Sequence, residues 1–463
     1  MISFFLVNRN DWGYDELISL TLAIHFAFLL VWRLGKTLPI RELAGFIYSL
    51  QILLGALFTY KFFPNVPVGQ MVVQEETYYN YAIPCILVFC LGLYFPRFKY
   101  TNYPIRDALV TKTINKREWS KLGIQLLLIS YLSQMMADFF PAEGLNFIYS
   151  LLYLFRFVAI YYLWVAKNRY RHLILLLVFL PFAVNGFQSG LFIELFIWTF
   201  LTLAMMQIVK PLKFRTNLLI CAGGFCMLVV LQSVKVDFRQ TTWKESSKDM
   251  SITERVAYFG DLLSSFNFGD SKTRDVANMR FVVRINEGFI ISHILRTVPE
   301  RHPFADGKYF KDEMIGIFAP RFLFPDKAVV GSHEKFEEFA GWRLDAKVAM
   351  AVSILGDGYG NFGYWGGILF CFLNGLLLNF LLHYGIKLAK RYQLSLILWM
   401  PLIFTYSVRC GDEFYIITNH IFKSSILVLF VFFILRKSGR LARLSVFPQP
   451  AFTARKENET CAV

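Results

Sequence analysis

Residues 145–165 read LNFIYSLLYLFRFVAIYYLWV, an apolar run whose only charged residue is Arg156. A helix of about 20 such residues is long enough to cross the hydrocarbon core of a bilayer. Apolar residues occur on every face of the run instead of at alternate positions, which argues against a β-barrel strand. The run therefore predicts a transmembrane helix, because a backbone in lipid must satisfy its own hydrogen bonds.

Apolar runs of similar length recur along the chain. They lie at residues 16–33, 43–60, 79–95, 121–139, 145–165, 170–186, 189–208, 216–234, 364–384, 393–408 and 415–435. The composition agrees, because 56% of the 463 residues are hydrophobic and 17% are charged, whereas about 25% are charged in ordinary soluble domains. We therefore predict an all-α, polytopic membrane bundle of about 11 transmembrane helices.

The net charge of +15 would suggest a nucleic-acid partner in a soluble protein. In a membrane protein, lysine and arginine instead collect in the cytoplasmic loops. The short segments predicted to lie outside contain Arg9, Lys61 and Arg409, and the other basic residues of short loops and of the tail fall on the inside. This bias predicts an N-terminus outside, a C-terminus in the cytoplasm and no nucleic-acid partner.

One long polar segment, residues 235–362, interrupts the series of apolar runs and is predicted to lie outside. Unstructured loops of this length are uncommon and usually functional. Amphipathic patterns at 252–266 and 280–298 predict helices within it. The predicted organisation is an N-terminal bundle at 1–234, a helical loop subdomain at 235–362, C-terminal helices at 363–436 and a cytoplasmic tail at 437–463.

Ionisable residues inside apolar spans are functional candidates, and Arg156 is the most central of them. The alternative for such a residue is a buried ion pair or a side chain that reaches the interface. In the long segment, the spacing of Arg280, Arg284 and Glu287 places all three on one face of a predicted helix. A solvated arginine–glutamate pair is the alternative interpretation there.

Two further stretches of the long segment have unusual composition. Arg321 and Lys327 belong to the segment PRFLFPDK at 320–327, and Asp357 lies in GDGYGNFG at 356–363. The glycines permit close backbone approach, but the pattern is not a phosphate-binding loop. No HExxH, GxSxG or CxxC motif occurs and the histidines are scattered, so we predict no metal centre and no cofactor.

Taken together, Arg284-Ile-Asn-Glu287, Pro320-Arg321 with Pro325-Asp326-Lys327, and the glycine-rich segment 356–363 ahead of an apolar run resemble the bacterial oligosaccharide repeat-unit polymerases, the Wzy-type O-antigen and exopolysaccharide polymerases. The resemblance implies a metal-independent, glycosyltransferase-type polymerase at the periplasmic face of the bacterial inner membrane. Its substrate would be an undecaprenyl-diphosphate-linked glycan embedded in membrane lipid. A flippase and a chain-length regulator are the implied protein partners.

Transfer from a lipid diphosphate requires a proton acceptor and cations that stabilise the leaving group. With the resemblance, we predict Glu287 as the base and Asp357 as its substitute. The predicted substrate- and diphosphate-binding residues are Arg280, Arg284, Arg321, Lys327, Arg409 and Arg156. An O-antigen ligase, which shares this architecture, a lipid-linked oligosaccharide flippase and a purely structural scaffold remain alternatives.

Overall fold

The computed structural model describes residues 13–66, 69–98, 115–140, 146–189, 193–242, 250–264, 271–318, 333–345, 348 and 350–444. These residues form helices and connecting turns, without a β-strand in the described ranges. The first eight helices are α1 (Tyr14–Arg33), α2 (Ile40–Phe62), α3 (Glu75–Tyr94), α4 (Lys116–Phe139), α5 (Asn146–Val165), α6 (Arg171–Ser189), α7 (Ile193–Val209) and α8 (Phe214–Thr242). The others are α9 (Ile252–Ser264), α10 (Ser271–Ile285), α11 (Gly288–Thr297), α12 (Lys308–Phe318), α13 (His333–Ala340), α14 (Ser353–Arg391), α15 (Leu394–Phe404), α16 (Phe414–Lys437) and α17 (Arg440–Leu444).

Among the described residues, seven helices are long and apolar enough to cross a membrane, namely α1 to α5, α14 and α16. Four shorter apolar segments, in α6, α7, α8 and α15, lie where the sequence predicts the other spans. The prediction of an all-helical fold is therefore confirmed in the described residues, together with the presence of helices long and apolar enough to span a membrane. We refer to α1 to α8 and α14 to α16 together as the bundle.

The middle of α2 is a π-helical turn, Ser49–Leu54, whose wider winding changes the backbone hydrogen bonding. Three carbonyls of this turn accept hydrogen bonds from elsewhere in the protein. The Tyr78 and Tyr79 hydroxyls of α3 donate to the Ile52 and Leu53 carbonyls at 2.8 and 3.0 Å. The amide of Glu287 donates to the Gln51 carbonyl at 3.1 Å. The turn thus attaches both α3 and the long polar segment to α2.

Helix α14 consists of two helical parts that meet at Gly363, whose φ of 70° is in the left-handed region that favours glycine. The parts fold back on each other, because a Cβ on Gly358 would lie 3.1 Å from the Gly367 Cα. Nine residues of straight helix would span about 13 Å. The predicted glycine-rich segment is thus the buried first part of α14, and that helix begins before the predicted boundary at residue 363.

A second hydrophobic core lies outside the main one. It contains Ile294 of α11, Tyr309 of α12, Phe336 and Phe339 of α13, and Val352 just before α14. We call helices α11, α12 and α13 together the small subdomain. The predicted helical content of the long segment is therefore present, and its helices have a core of their own beside the bundle.

The expectation of one helix over 280–298 is wrong. Helix α10 ends at Ile285 and α11 begins at Gly288. Asn286, in the break, is buried and donates its side-chain amide to the Thr59 hydroxyl of α2 at 2.9 Å. The lack of a side chain at Gly55 permits this approach, because a Cβ there would lie 2.8 Å from the Asn286 Cα. As a result Glu287 does not share a helix with Arg280 and Arg284.

Replacing Gly375 with alanine should destabilise the bundle. Helices α3 and α14 form the most extensive helix pair in the described residues, and a Cβ on Gly375 would collide with the Phe89 carbonyl. Overpacking of this kind costs about 1–3 kcal/mol, so the thermal unfolding temperature in detergent should fall. Gly224→Ala is the matched control, because a Cβ at Gly224 meets no atom within 4 Å. Equal unfolding temperatures for the two variants would contradict this packing.

Candidate functional site: a polar cavity and a buried charge cluster

A cavity of about 380 Å³ opens between α4, α5, α7 and the segment after α15. It lies toward the ends of these helices that are predicted to face outside. Its lining combines polar side chains with aromatic rings and carries one cation, Arg409, and two carboxylates, Asp138 and Glu194. The lining includes Ser133, Gln134, Asp138, Asn146, Tyr149, Ser150, Tyr153, Glu194, Trp198, Tyr406 and Arg409. Polar groups that fix orientation, set among aromatic surfaces, are typical of a ligand-binding cavity.

Arg156 lies directly behind the wall of this cavity and is fully buried. Helix α5 is interrupted at Leu154, and the Phe157 amide bonds to the Leu154 carbonyl. The Tyr153 carbonyl, which Phe157 leaves aside, accepts hydrogen bonds from the Ser130 hydroxyl at 2.6 Å and from Arg156 Nε at 3.0 Å. The break in the helix thus creates an acceptor for the guanidinium inside the span.

The other contacts of Arg156 are also with uncharged groups. Its Nη2 donates to Gln134 Oε1 at 3.0 Å, and Gln134 lines the cavity. Its guanidinium also lies 3.5 Å from the centre of the Tyr153 ring. Among the described residues Arg156 forms no ion pair, and its buried Nη1 has no hydrogen-bond partner there. No carboxylate of the described residues therefore forms an ion pair with Arg156. The cavity is bordered by a positive charge that these residues do not neutralise.

Arg409 begins the five-residue turn Arg409-Cys410-Gly411-Asp412-Glu413, which we call the RCGDE turn, between α15 and α16. Its Nη2 forms an ion pair with Glu194 Oε1 at 3.0 Å, and its guanidinium lies over the Tyr406 ring. The buried Nε has no partner among the described residues. Arg409 therefore lines the cavity with part of its hydrogen-bonding capacity unused.

Glu287 lies against the same turn. A Cβ on Gly411 would lie 3.5 Å from Glu287 Oε2, and the Cys410 thiol donates to Gln51 Oε1 at 3.0 Å. Burial raises the pKa of Glu287, and the Arg284 guanidinium only partly opposes this. A carboxylate with a raised pKa is a stronger proton acceptor near neutral pH.

A buried lysine on the other side of the RCGDE turn contacts three carboxylates. Lys335 Nζ lies 2.5 Å from Glu313 Oε1, 2.8 Å from Asp357 Oδ1 and 3.2 Å from Glu413 Oε2. The side chains of these residues are between 0% and 5% exposed. We call Lys335, Glu313, Asp357 and Glu413 the Lys335 cluster. Lys335 thus brings together acidic side chains from α12, from the first part of α14 and from the RCGDE turn.

The charged groups around the RCGDE turn shift one another's protonation. Burial raises the pKa of Asp412 to about 7, the nearby carboxylates add to the shift and Arg409 opposes it. Asp412 Oδ2 is buried without a hydrogen-bond partner among the described residues. Asp412 is therefore a titratable group of the turn in its own right. It lies next to Glu413 of the Lys335 cluster and close to Arg409 of the cavity.

The structure places the predicted site residues in several different surroundings. Arg156 and Arg409 border one cavity, and Glu287 reaches the turn that carries Arg409. Asp357 belongs to the Lys335 cluster, where Asn361 also donates to its Oδ1. Arg284 is exposed on α10 and Arg280 is partly exposed. Arg321 and Lys327 lie outside the described residues.

Sequence reasoning missed Lys335, Glu313, Asp412 and Glu413. Three of the five residues in the RCGDE turn are charged, although the turn joins two apolar segments. This concentration of charge could have marked the turn as a candidate site from the sequence alone. Glu313 and Lys335 gave no comparable signal, because each lies in an amphipathic helix where charged residues are expected on the solvent side. Their partners are distant in the sequence, so only the packing of the helices identifies them.

Residues 58–443 match the family model described as Domain of unknown function (DUF8712). The chain belongs to this family. The DUF8712 match includes the cavity, the RCGDE turn and all four residues of the Lys335 cluster. No curated protein and no solved structure matches the chain.

Proposed function

We propose that this DUF8712 protein polymerises undecaprenyl-diphosphate-linked oligosaccharide repeat units at the periplasmic face of a bacterial inner membrane. A hydroxyl of the incoming unit attacks the anomeric carbon of the growing chain, and the bond from that carbon to the diphosphate oxygen breaks. The products are a longer lipid-linked chain and undecaprenyl diphosphate. The proposal is supported by the resemblance of residues 284–363 to repeat-unit polymerases and by the candidate spans.

The cavity is the observation that carries the proposal. It combines the Arg409 guanidinium with polar side chains and with the rings of Tyr149, Tyr153 and Trp198. Arginine binds phosphate oxygens in a bidentate manner and stays protonated. The uncompensated charge of Arg156 behind the wall adds an attraction for an anion, because a charge is weakly screened inside a low-dielectric bundle. A diphosphate joined to a saccharide would meet the Arg409 guanidinium, the nearby charge of Arg156 and a polar and aromatic lining that also carries the carboxylates of Asp138 and Glu194.

Glu287 is the proposed base for the attacking hydroxyl. Glu287 as a residue is partly exposed, and its carboxylate lies beside the turn that carries Arg409. Asp357, the predicted substitute, is fully buried and paired with Lys335, so it does not suit contact with a substrate. The exposed Arg284 fits a contact with the glycan or lipid headgroup better than it fits a buried diphosphate.

Glu287→Gln should reduce polymerisation by about 10²–10⁴-fold, which is the usual loss when a catalytic proton acceptor is removed. In the native protein the carboxylate must be ionised, so activity should rise with pH through the raised pKa of Glu287. Chain length of lipid-linked glycans and initial rates at several pH values measure both effects. Asp261→Asn, an exposed carboxylate change on α9, is the matched control. Long polymer from Glu287→Gln would remove Glu287 from the mechanism.

The proposal includes about 11 spans with the N-terminus outside, the RCGDE turn outside and the C-terminus in the cytoplasm. A reporter enzyme fused after Lys248 should give a periplasmic signal, and one fused after Thr113 a cytoplasmic signal. The expectation follows from the excess of lysine and arginine in the predicted inside loops. The same signal at both positions would contradict the orientation.

Deletion of the gene, followed by analysis of lipid-linked glycans, tests the function itself. Single repeat units that accumulate on the periplasmic side would support polymerisation. Full-length chains left on the lipid would identify a ligase instead, and units retained on the cytoplasmic side would identify a flippase. Re-expression of the native chain should restore long polymer in the first case.

A further inference from the structure

We propose that α1 and α8 form a binding site for an anionic phospholipid at the ends where the two helices are predicted to face the cytoplasm. The headgroup phosphate would lie among exposed cations, and the acyl chains would follow the exposed apolar faces of the two helices. The inference is independent of the proposed function, because the cavity lies toward the helix ends that are predicted to face outside.

The loop after α1 and the loop before α8 pack against each other. A Cβ on Gly35 would lie 3.2 Å from the Pro211 Cβ, so the two backbones approach closely there. Helices α1 and α8 are also in contact. Lys36 follows Gly35, and Lys213 lies two residues after Pro211. The packing therefore places cations from both loops at the same end of the helix pair.

Three exposed aromatic rings join the two helices at this end. The rings of Phe28 and Trp32, one turn apart on α1, stack with their centres 5.9 Å apart. Both rings contact that of Phe214, the first residue of α8, at 6.0 and 5.9 Å. Lys36 Nζ lies 3.5 Å from the centre of the Trp32 ring. The aromatic surface and the cations thus form one continuous patch across α1 and α8.

The cations of this patch are not neutralised by the described residues. Lys36, Lys213 and Arg215 are exposed, and none of them forms an ion pair with a described residue. The acidic residue nearest to either loop in the sequence is Glu42, at the start of α2. Glu42 is buried and already lies within 4.0 Å of two arginines. An anion from outside the chain would therefore meet three exposed cations.

The start of α8 adds a further attraction for an anion. The first amides of a helix lack an acceptor within the helix, and its N-terminal end carries a partial positive charge. The first turn of α8 contains no acidic residue. Helix α4, which is also predicted to begin on the inside, differs because Glu118 occupies its first turn. The anion that suits the start of α8 is thus not supplied by that turn itself.

Apolar side chains continue from the aromatic rings toward the middle of both helices. Ile24 lies one turn from Phe28 on α1, and Leu218 lies one turn from Phe214 on α8, and residues at this spacing share a helix face. Ile24 and Leu218 are 59% and 49% exposed. The surface thus has cations at one end and apolar side chains leading away from them, the same order of groups as in a phospholipid. This order favours a lipid over a soluble phosphate, and basic sites between helices on the cytoplasmic side are known to bind anionic headgroups.

Native mass spectrometry of the full-length protein in detergent tests the proposal, with phosphatidylglycerol or phosphatidylethanolamine titrated separately. The native protein should bind phosphatidylglycerol more tightly. Lys213→Gln combined with Arg215→Gln should weaken the tightest phosphatidylglycerol binding by about 25-fold, since each basic residue near an anionic lipid contributes about fivefold. Lys36→Gln alone should weaken it by about fivefold.

Lys116→Gln combined with Arg117→Gln is the matched control, because it removes the same two charges from exposed positions at the start of α4. It should keep the native affinity for phosphatidylglycerol. Equal native affinity for the two lipids, or an equal loss in the two double variants, would overturn the proposal. Displacement of phosphatidylglycerol by an equal concentration of glycerol 3-phosphate would also overturn it, because the acyl chains would then contribute nothing. The assay contains no glycan, so failure here is distinct from failure of the proposed polymerase.

Discussion

Lys335→Met should destabilise the small subdomain, because it removes the cation that contacts three buried carboxylates. Removing one partner of a buried ion pair typically costs about 3–5 kcal/mol, and the side chains of this cluster are at most 5% exposed. Methionine keeps the length and much of the volume of lysine, so the expected loss comes from charge. The unfolding temperature and the protease resistance of full-length protein in detergent measure it.

Two variants control the interpretation of Lys335→Met. Lys311→Met removes an exposed lysine from α12 and should leave stability within about 0.5 kcal/mol of native. Adding Glu313→Gln to Lys335→Met should recover part of the lost stability, because one buried acid is neutralised with the cation. A Lys335→Met protein as stable as the Lys311→Met protein would show that the cluster contributes no net stability.

Arg156→Met should reduce polymer to single repeat units while the protein remains in the membrane. The change removes the uncompensated charge behind the cavity together with its hydrogen bonds to Tyr153 and Gln134. Loss of one group that stabilises developing negative charge typically costs about 10²–10³-fold in rate. Arg156→Lys keeps the charge and loses the planar fork, so it should fall between Arg156→Met and the native protein.

Lipid-linked glycan length and membrane protein amount together measure the effect of Arg156. Arg171→Lys is the matched control, since Arg171 also lies over an aromatic ring, that of Trp164, at the end of the bundle predicted to face the cytoplasm. It should retain long polymer. Native polymer from Arg156→Met would exclude Arg156 from substrate binding. Loss of the protein from the membrane would make its role structural and would equally contradict the prediction.

The positions of the helices were largely predictable from the sequence because hydrophobicity is a local property. Each apolar run that the sequence singled out contains or overlaps a helix, and the residues of α5 around Arg156 are an example. The break at Asn286 was not predictable in the same way. It depends on a side-chain bond to Thr59 and on the missing side chain of Gly55, both far away in the sequence.

The sequence by itself determined that the chain is helical, that it contains segments able to span a membrane and that Arg156 lies inside one of them. These features follow from the composition of short windows and from the cost of exposing backbone polar groups to lipid. Tertiary structure alone decided that Glu287 lies outside the helix of Arg284 and against Gly411. It also decided that Lys335 contacts Glu313, Asp357 and Glu413. The physical reason is that an ion pair depends on the distance between side chains, and packing sets that distance between residues remote in the chain.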